Sequence, residues 1–175
     1  MSTPLVGIVM GSKTDLPVME KAAKQLEEFG IAYTLDVMSA HRNPAEVSQW
    51  ASGAREAGYK VLIAGAGRAA HLPGVVAAHS DLPVIGVPCL SDHLGGADAL
   101  YSIVQMPPGV PVATVGIDNA RNAAILALQI LATADEGHAR TLAEFRAEQA
   151  GKGMEHREWS AEGASPRKLG FQTGN

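Results

Sequence analysis

The sequence predicts an α/β fold, an open parallel sheet with helices on both faces and right-handed crossovers. Strand-like and helix-like apolar periods alternate five times along the chain, joined by short loops. The hydrophobic share is 46% but aromatics supply only 5%, so the core is built from Val, Ile, Leu, Met and Ala, as suits strands buried on both faces. At 175 residues the chain is long enough to bury a proper core as one domain.

Leu5 to Met10 is a short apolar run that stops at Gly11 and reads as the first strand. Asp15 to Phe29 carries Leu16, Met19, Ala22, Ala23, Leu26 and Phe29 at helical spacing, and Gly30 supplies the C-terminal stop. Ala32 to Met38 is the second strand. Pro44, whose missing N–H costs nothing in a first turn, opens a helix expected to reach Ala57 before Gly58. Lys60 to Ala64, Pro83 to Val87 and Val110 to Val115 are the remaining strands. His71 to Ala78, Leu94 to Val104 and Asp118 to Leu131 are the helices that follow them. The last is apolar nearly all round, which predicts burial on more than one side and packing between subunits. Pro107, Pro108 and Pro111 make the approach to the fifth strand extended and rigid. His138 to Gln149 reads as a further amphipathic helix, broken at Gly151-Lys152-Gly153. Residues 1–150 thus form one domain, and 151–175 a polar tail or an arm that orders against a neighbouring subunit.

A net charge of -4 offers no general attraction to nucleic acid or to an anionic membrane, so a negatively charged ligand needs local cations. No window holds the ~20 consecutive apolar residues of a membrane span, and no charged leader precedes a long apolar run, so a cytoplasmic protein is expected. The single cysteine, Cys89, excludes an internal disulfide and sits in an apolar strand as a small filler.

In open parallel sheets ligands bind beyond the carboxyl ends of the strands. Three loops fall there. Gly11-Ser12-Lys13-Thr14-Asp15 brings a tight turn, hydroxyls and helix-start N–H groups suited to sugar hydroxyls or phosphate, although capping by Thr14 or Asp15 explains it equally well. Ser39-Ala40-His41-Arg42-Asn43-Pro44 sets an imidazole beside a guanidinium at a strand-to-helix junction, which can hold an anion and move a proton, although a capped helix with a surface His and Arg also accounts for the loop taken alone. Gly65 to Gly74 is rich in small residues that let a planar ligand approach the backbone, with His71 aimed between the loops, although a Gly-rich turn whose histidine bonds a nearby carbonyl explains it equally well. Asp118 reads as a helix cap and Arg121 as a surface charge. No compact His/Asp/Glu or Cys set suggests a metal.

Those loops, together with Leu82-Pro83-Val84-Ile85-Gly86-Val87-Pro88 and Ser102 to Pro107, occur in the order found in PurE, and on them the chain resembles that family over roughly residues 5 to 150. The resemblance implies a flavodoxin-like three-layer fold with a C-terminal helical arm, assembled as a homo-octamer that works without cofactor or metal. It implies a mutase of purine synthesis that moves a carboxylate from the exocyclic N5 of an aminoimidazole ribonucleotide to ring carbon C4, with CO2 as transient intermediate. Carried over, His41 is the catalytic acid–base. Ser12 and Asp15 contact the ribose and phosphate side, Ser39 and Arg42 the phosphate, and Gly67, Ala70 and His71 the base and carboxylate region. Two departures stand out: Arg68 replaces a glycine of the mutase motif, and the segment from Val115 to Ala123 is short. The related PurE class that carboxylates aminoimidazole ribonucleotide directly with CO2 also carries an arginine in that loop, so direct carboxylation is the alternative. An FMN-binding electron carrier fits poorly with a rim so poor in aromatics, and a non-catalytic nucleotide sensor would use the same pocket.

Overall fold

The computed structural model describes the backbone of residues 3–163 and the side chains of residues 3–152. Five parallel strands, β1 (Val6–Met10), β2 (Tyr33–Val37), β3 (Val61–Gly67), β4 (Val84–Cys89) and β5 (Ala113–Thr114), form one sheet in the order β2-β1-β3-β4-β5. That is the flavodoxin-like order, with its crossover switch between β1 and β3. Among the described residues six α-helices accompany them: α1 (Leu16–Glu28), α2 (Pro44–Ser52), α3 (Leu72–His79), α4 (Ala97–Val104), α5 (Ala120–Leu131) and α6 (Glu136–Gly163).

Alternation along each strand divides the core into two layers, one on each face of the sheet. Val6, Ile8, Met10, Ile63, Ile85 and Val87 pack with α1 and α5 on one face. Val9, Leu62, Ala64 and Val84 pack with α2, α3 and α4 on the other. The helix α5 meets the sheet and α1 through Ala120, Ala123, Ala124, Ala127, Leu128 and Leu131, all buried. Small side chains on that stripe let the helix lie close. Its other side is more open than its composition suggests, because Arg121 and Asn122 are exposed and Ile125 and Leu126 half-buried. Trp50 of α2 packs on Tyr59 and covers Gly7 on the second face, and its indole Nε1 is buried without a hydrogen-bond partner.

Several boundaries differ from those read in the sequence, each for a backbone reason. Gly53 ends α2 at Ser52, five residues before Ala57, and the stretch to Gly58 forms turns. β3 continues three residues past Ala64 by pairing with β4 as far as Gly67↔Cys89. Gly96, at φ +81 in the left-handed region, separates a 3-10 turn (Leu94–Gly96) from α4. β5 shrinks to two residues because the prolines before it donate no ladder N–H. Asn119, not Asp118, caps α5, its side chain accepting from the Asn122 N–H. Gly30, at φ +68, closes α1 as expected.

The glycines at 151 and 153 do not stop the last helix, which runs on to Gly163. A Lys152–Glu148 contact of 2.6 Å, one turn apart, supports that stretch, and Phe145 meets Phe29 edge-on at 5.3 Å to hold the start of α6 on α1. Of the polar segment from Met154 onward, residues 164–175 lie outside the described residues. Among the described residues no helix is long and apolar enough to cross a membrane.

Candidate active site

The parallel register sets the carboxyl ends of β1 and β2 level, with Met10 opposite both Val37 and Gly65, while β3 runs two residues further to Gly67 beside Cys89. The loops that follow these strands, and the one after β4, enclose a cavity of about 450 Å³. Its lining includes Gly11, Ser12, Thr14, Asp15, Ser39, His41, Gly67, Arg68, His71 and the Leu90-Ser91-Asp92 segment.

The first loop is locked by a capping box. The Ser12 hydroxyl oxygen accepts from the Thr14 N–H at 3.3 Å while the Asp15 carboxylate accepts from the Ser12 N–H at 3.1 Å. In the second loop the Ser39 hydroxyl oxygen accepts from the N–H groups of His41 and Arg42, and the Ser39 carbonyl from the Asn43 N–H. That turn projects His41 across the end of β1. Its Nε2 lies 2.7 Å from His71 Nδ1, with the two rings edge-on at 87°. One nitrogen donates and the other accepts, so a single proton lies between the two imidazoles.

The predicted residues are therefore gathered unequally. Ser12, Asp15, Ser39, His41, Gly67 and His71 share the cavity. Arg42 is exposed at its edge, where Nη2 donates to the Gly11 carbonyl at 3.3 Å, outside the lining itself. Ala70 is fully buried beneath the third loop, its N–H turned back to the Arg68 carbonyl at 2.8 Å, and it is not part of the cavity lining. Among the described residues no three His, Cys, Asp or Glu side chains cluster so as to hold a metal ion.

The AIR carboxylase family model matches residues 5–152 of this sequence. The chain belongs to that family, PurE. An N5-carboxyaminoimidazole ribonucleotide mutase of Pyrococcus horikoshii is 62% identical over 128 residues, covering 73% of this chain and 72% of that protein. A phosphoribosylaminoimidazole carboxylase of Saccharomyces cerevisiae is 52% identical over 149 residues, 85% of this chain but 26% of the longer yeast protein. A crystal structure of Treponema denticola PurE superposes with a TM-score of 0.82 at 32% identity, covering 93% of this chain and 99% of that one.

In this PurE chain the loop after β4 contributes Leu90, Ser91 and Asp92, which sequence reasoning missed. The signal was the position of the loop, at the carboxyl end of a strand next to β3. Asp118 organises it. Held at φ +56, Asp118 donates its N–H to the Pro88 carbonyl and accepts the Leu90 N–H on Oδ1 at 2.7 Å, so it tethers the cavity wall rather than capping α5. Arg121 is no free surface charge either, since its Nε donates to the buried Gln25 Oε1 at 2.6 Å.

Burial raises the Asp15 carboxyl above its ordinary value of 3.8, the Ser12 N–H opposes this, and the nearby Asp118 carboxylate adds to the rise. Burial likewise pushes the Cys89 thiol up to about 12, helped by Asp15 and Asp118, which leaves it an inert filler behind the cavity. Because the folded protein holds the Asp15 proton more tightly than the unfolded chain, this contribution to stability is complete below the unfolded carboxyl value and is lost as pH rises through the folded one. Asp15→Asn removes the effect. Its urea-unfolding stability relative to the parent is therefore expected to increase as pH is raised from about 4 towards 7. A difference independent of pH would contradict the assignment.

Proposed function

We propose that this chain is an N5-carboxyaminoimidazole ribonucleotide mutase of purine biosynthesis, an isomerase that transfers a carboxylate within one substrate molecule. The observation that carries the reading is the His41 imidazole on the cavity wall, paired with His71 at 2.7 Å, in a chain 62% identical over 128 residues to a mutase-named relative. The carbamate C–N bond breaks, its electron pair returns to the exocyclic nitrogen, and that nitrogen takes a proton from His41. The electron-rich C4 attacks the CO2 held beside it, and His41 recovers a proton from C4 as the ring regains aromaticity. Containment keeps the CO2 at high effective concentration, and an imidazole serves both proton transfers.

In this proposal Ser12 and Asp15 hold the ribose side, Ser39 and Arg42 the phosphate, and Gly67 and His71 flank the base. Arg42 is near enough to the first loop, through Gly11, to meet a phosphate seated on the Ser12 and Ser39 turns. Arg42→Ala is expected to weaken binding of the nucleotide, measured by calorimetry, by about tenfold or more, as for loss of a charge-assisted hydrogen bond. An unchanged affinity would remove Arg42 from the site. We also place the protein in the cytoplasm as a homo-oligomer, an octamer by resemblance, with residues 1–150 as its PurE domain and 151–175 as a tail or intersubunit arm.

The yeast relative's name favours a second reading, carboxylation of aminoimidazole ribonucleotide by free CO2. Supplying each nucleotide separately with labelled bicarbonate decides between them. A mutase converts the carbamate with little label in the C4 product, whereas a carboxylase needs the label and incorporates it.

A further inference from the structure

We propose that Arg68 is the carboxylate-recognising residue of this site, the specificity determinant that separates carboxylated aminoimidazole nucleotides from the bare one; this rests on the functional reading above. Three observations meet at this residue. Among the described residues Arg68 is the one Lys or Arg in the cavity lining, where its acidic companions are Asp15 and Asp92. It occupies the left-handed backbone region, φ +56, at a position where a non-glycine residue is strained. Among the described residues no carboxylate forms an ion pair with it, so its guanidinium is not committed to holding the fold together.

The sheet order gives that cation a direction. From one side to the other, the loops after β2, β1, β3 and β4 line the rim, spaced by roughly 5 Å per strand. The phosphate-binding groups assigned above, Ser39 and Arg42, follow β2, and the ribose groups, Ser12 and Asp15, follow β1. A nucleotide laid across the rim in that order puts its base at the loops after β3 and β4. There Arg68, His71 and the Leu90 to Asp92 segment surround it. The ligand's second negative group, on the exocyclic nitrogen before transfer and on C4 after it, thus lies at the Arg68 end.

Consecutive tight turns fix the presentation. The Ala70 N–H donates to the Arg68 carbonyl and the His71 N–H to the Ala69 carbonyl, both at 2.8 Å. The backbone carbonyl of Arg68 is thereby turned inward beneath the loop, while the side chain stays exposed at the lining. A planar guanidinium engages a carboxylate through two parallel hydrogen bonds and makes no such fork with a neutral ring edge.

The test compares two ligands that differ only in the group at issue. Aminoimidazole ribonucleotide and its C4-carboxylated product are titrated calorimetrically into the parent protein, Arg68→Ala and Arg68→Lys. Arg68→Ala is expected to bind the carboxylated nucleotide at least about tenfold more weakly while its affinity for the uncarboxylated one stays within about twofold. Arg68→Lys is expected to recover part of the loss. The unchanged ligand serves as the control for folding. Arg68→Gly, which relieves the backbone strain, should show the same selective loss in a protein at least as stable as the parent. Equal losses for both ligands, or none for either, would overturn the proposal while leaving the functional reading standing. Failure of the parent to bind either nucleotide would overturn that reading and this one with it.

Discussion

His41→Asn is expected to lower turnover by about two to four orders of magnitude while nucleotide affinity changes little. The substituted amide keeps a polar group of similar reach on the same turn, whose backbone is held by Ser39 and not by the imidazole. What disappears is the ability to accept and return a proton. The 2.7 Å contact to His71 sharpens the expectation, since it couples the proton placement of the two rings and holds the His41 imidazole in one orientation. Single-turnover measurements with the carbamate substrate, set beside calorimetric affinity, separate chemistry from binding. Near-parental turnover would take His41 out of the mechanism, and an equal collapse of affinity would make it a structural residue instead.

Ile63→Ala is expected to destabilise the fold by about 2–5 kcal/mol. Ile63 is fully buried at the middle of β3, paired on one side with Ile8 and on the other with Ile85. Truncation therefore leaves a hole in the central strand of a sheet covered on both faces, where neighbouring backbones cannot collapse to fill it. Urea unfolding at a fixed protomer concentration measures it, because any assembly adds its own concentration-dependent contribution. A loss below about 1 kcal/mol would mean that the α1 and α5 layer yields more readily than its close-packed alanine stripe indicates.

The regularities that carry over from sequence to structure are those written in side-chain period and turn chemistry. Ile8, Ile63 and Ile85 mark the buried strands, Gly30 stops α1, and Pro44 starts α2. The cavity loops after β1, β2 and β3 could be found by walking to the end of each strand. Contacts between distant residues were not legible in this way. Nothing local tells that Asp118 reaches back 28 residues to the Leu90 N–H, or that Arg121 spans 96 residues to Gln25, so both looked like ordinary helix-start groups. The loop from Leu90 to Asp92 escaped notice for the same reason: its polar residues carry no motif and gain meaning only from their place beside β3. Ala70 belongs to the same loop motif yet its side chain is fully buried, because belonging to a motif does not say which way a side chain points.

Trp50, on α2, lies against Tyr59 and Gly7, while among the described residues the cavity lining contains neither tryptophan nor tyrosine. Its emission, isolated in a Trp159→Phe background, is thus expected to report how well α2 packs on the sheet and to be insensitive to a ligand in the cavity. Titrations followed by intrinsic fluorescence would look silent even for a tight ligand, whereas melting curves read the same signal faithfully.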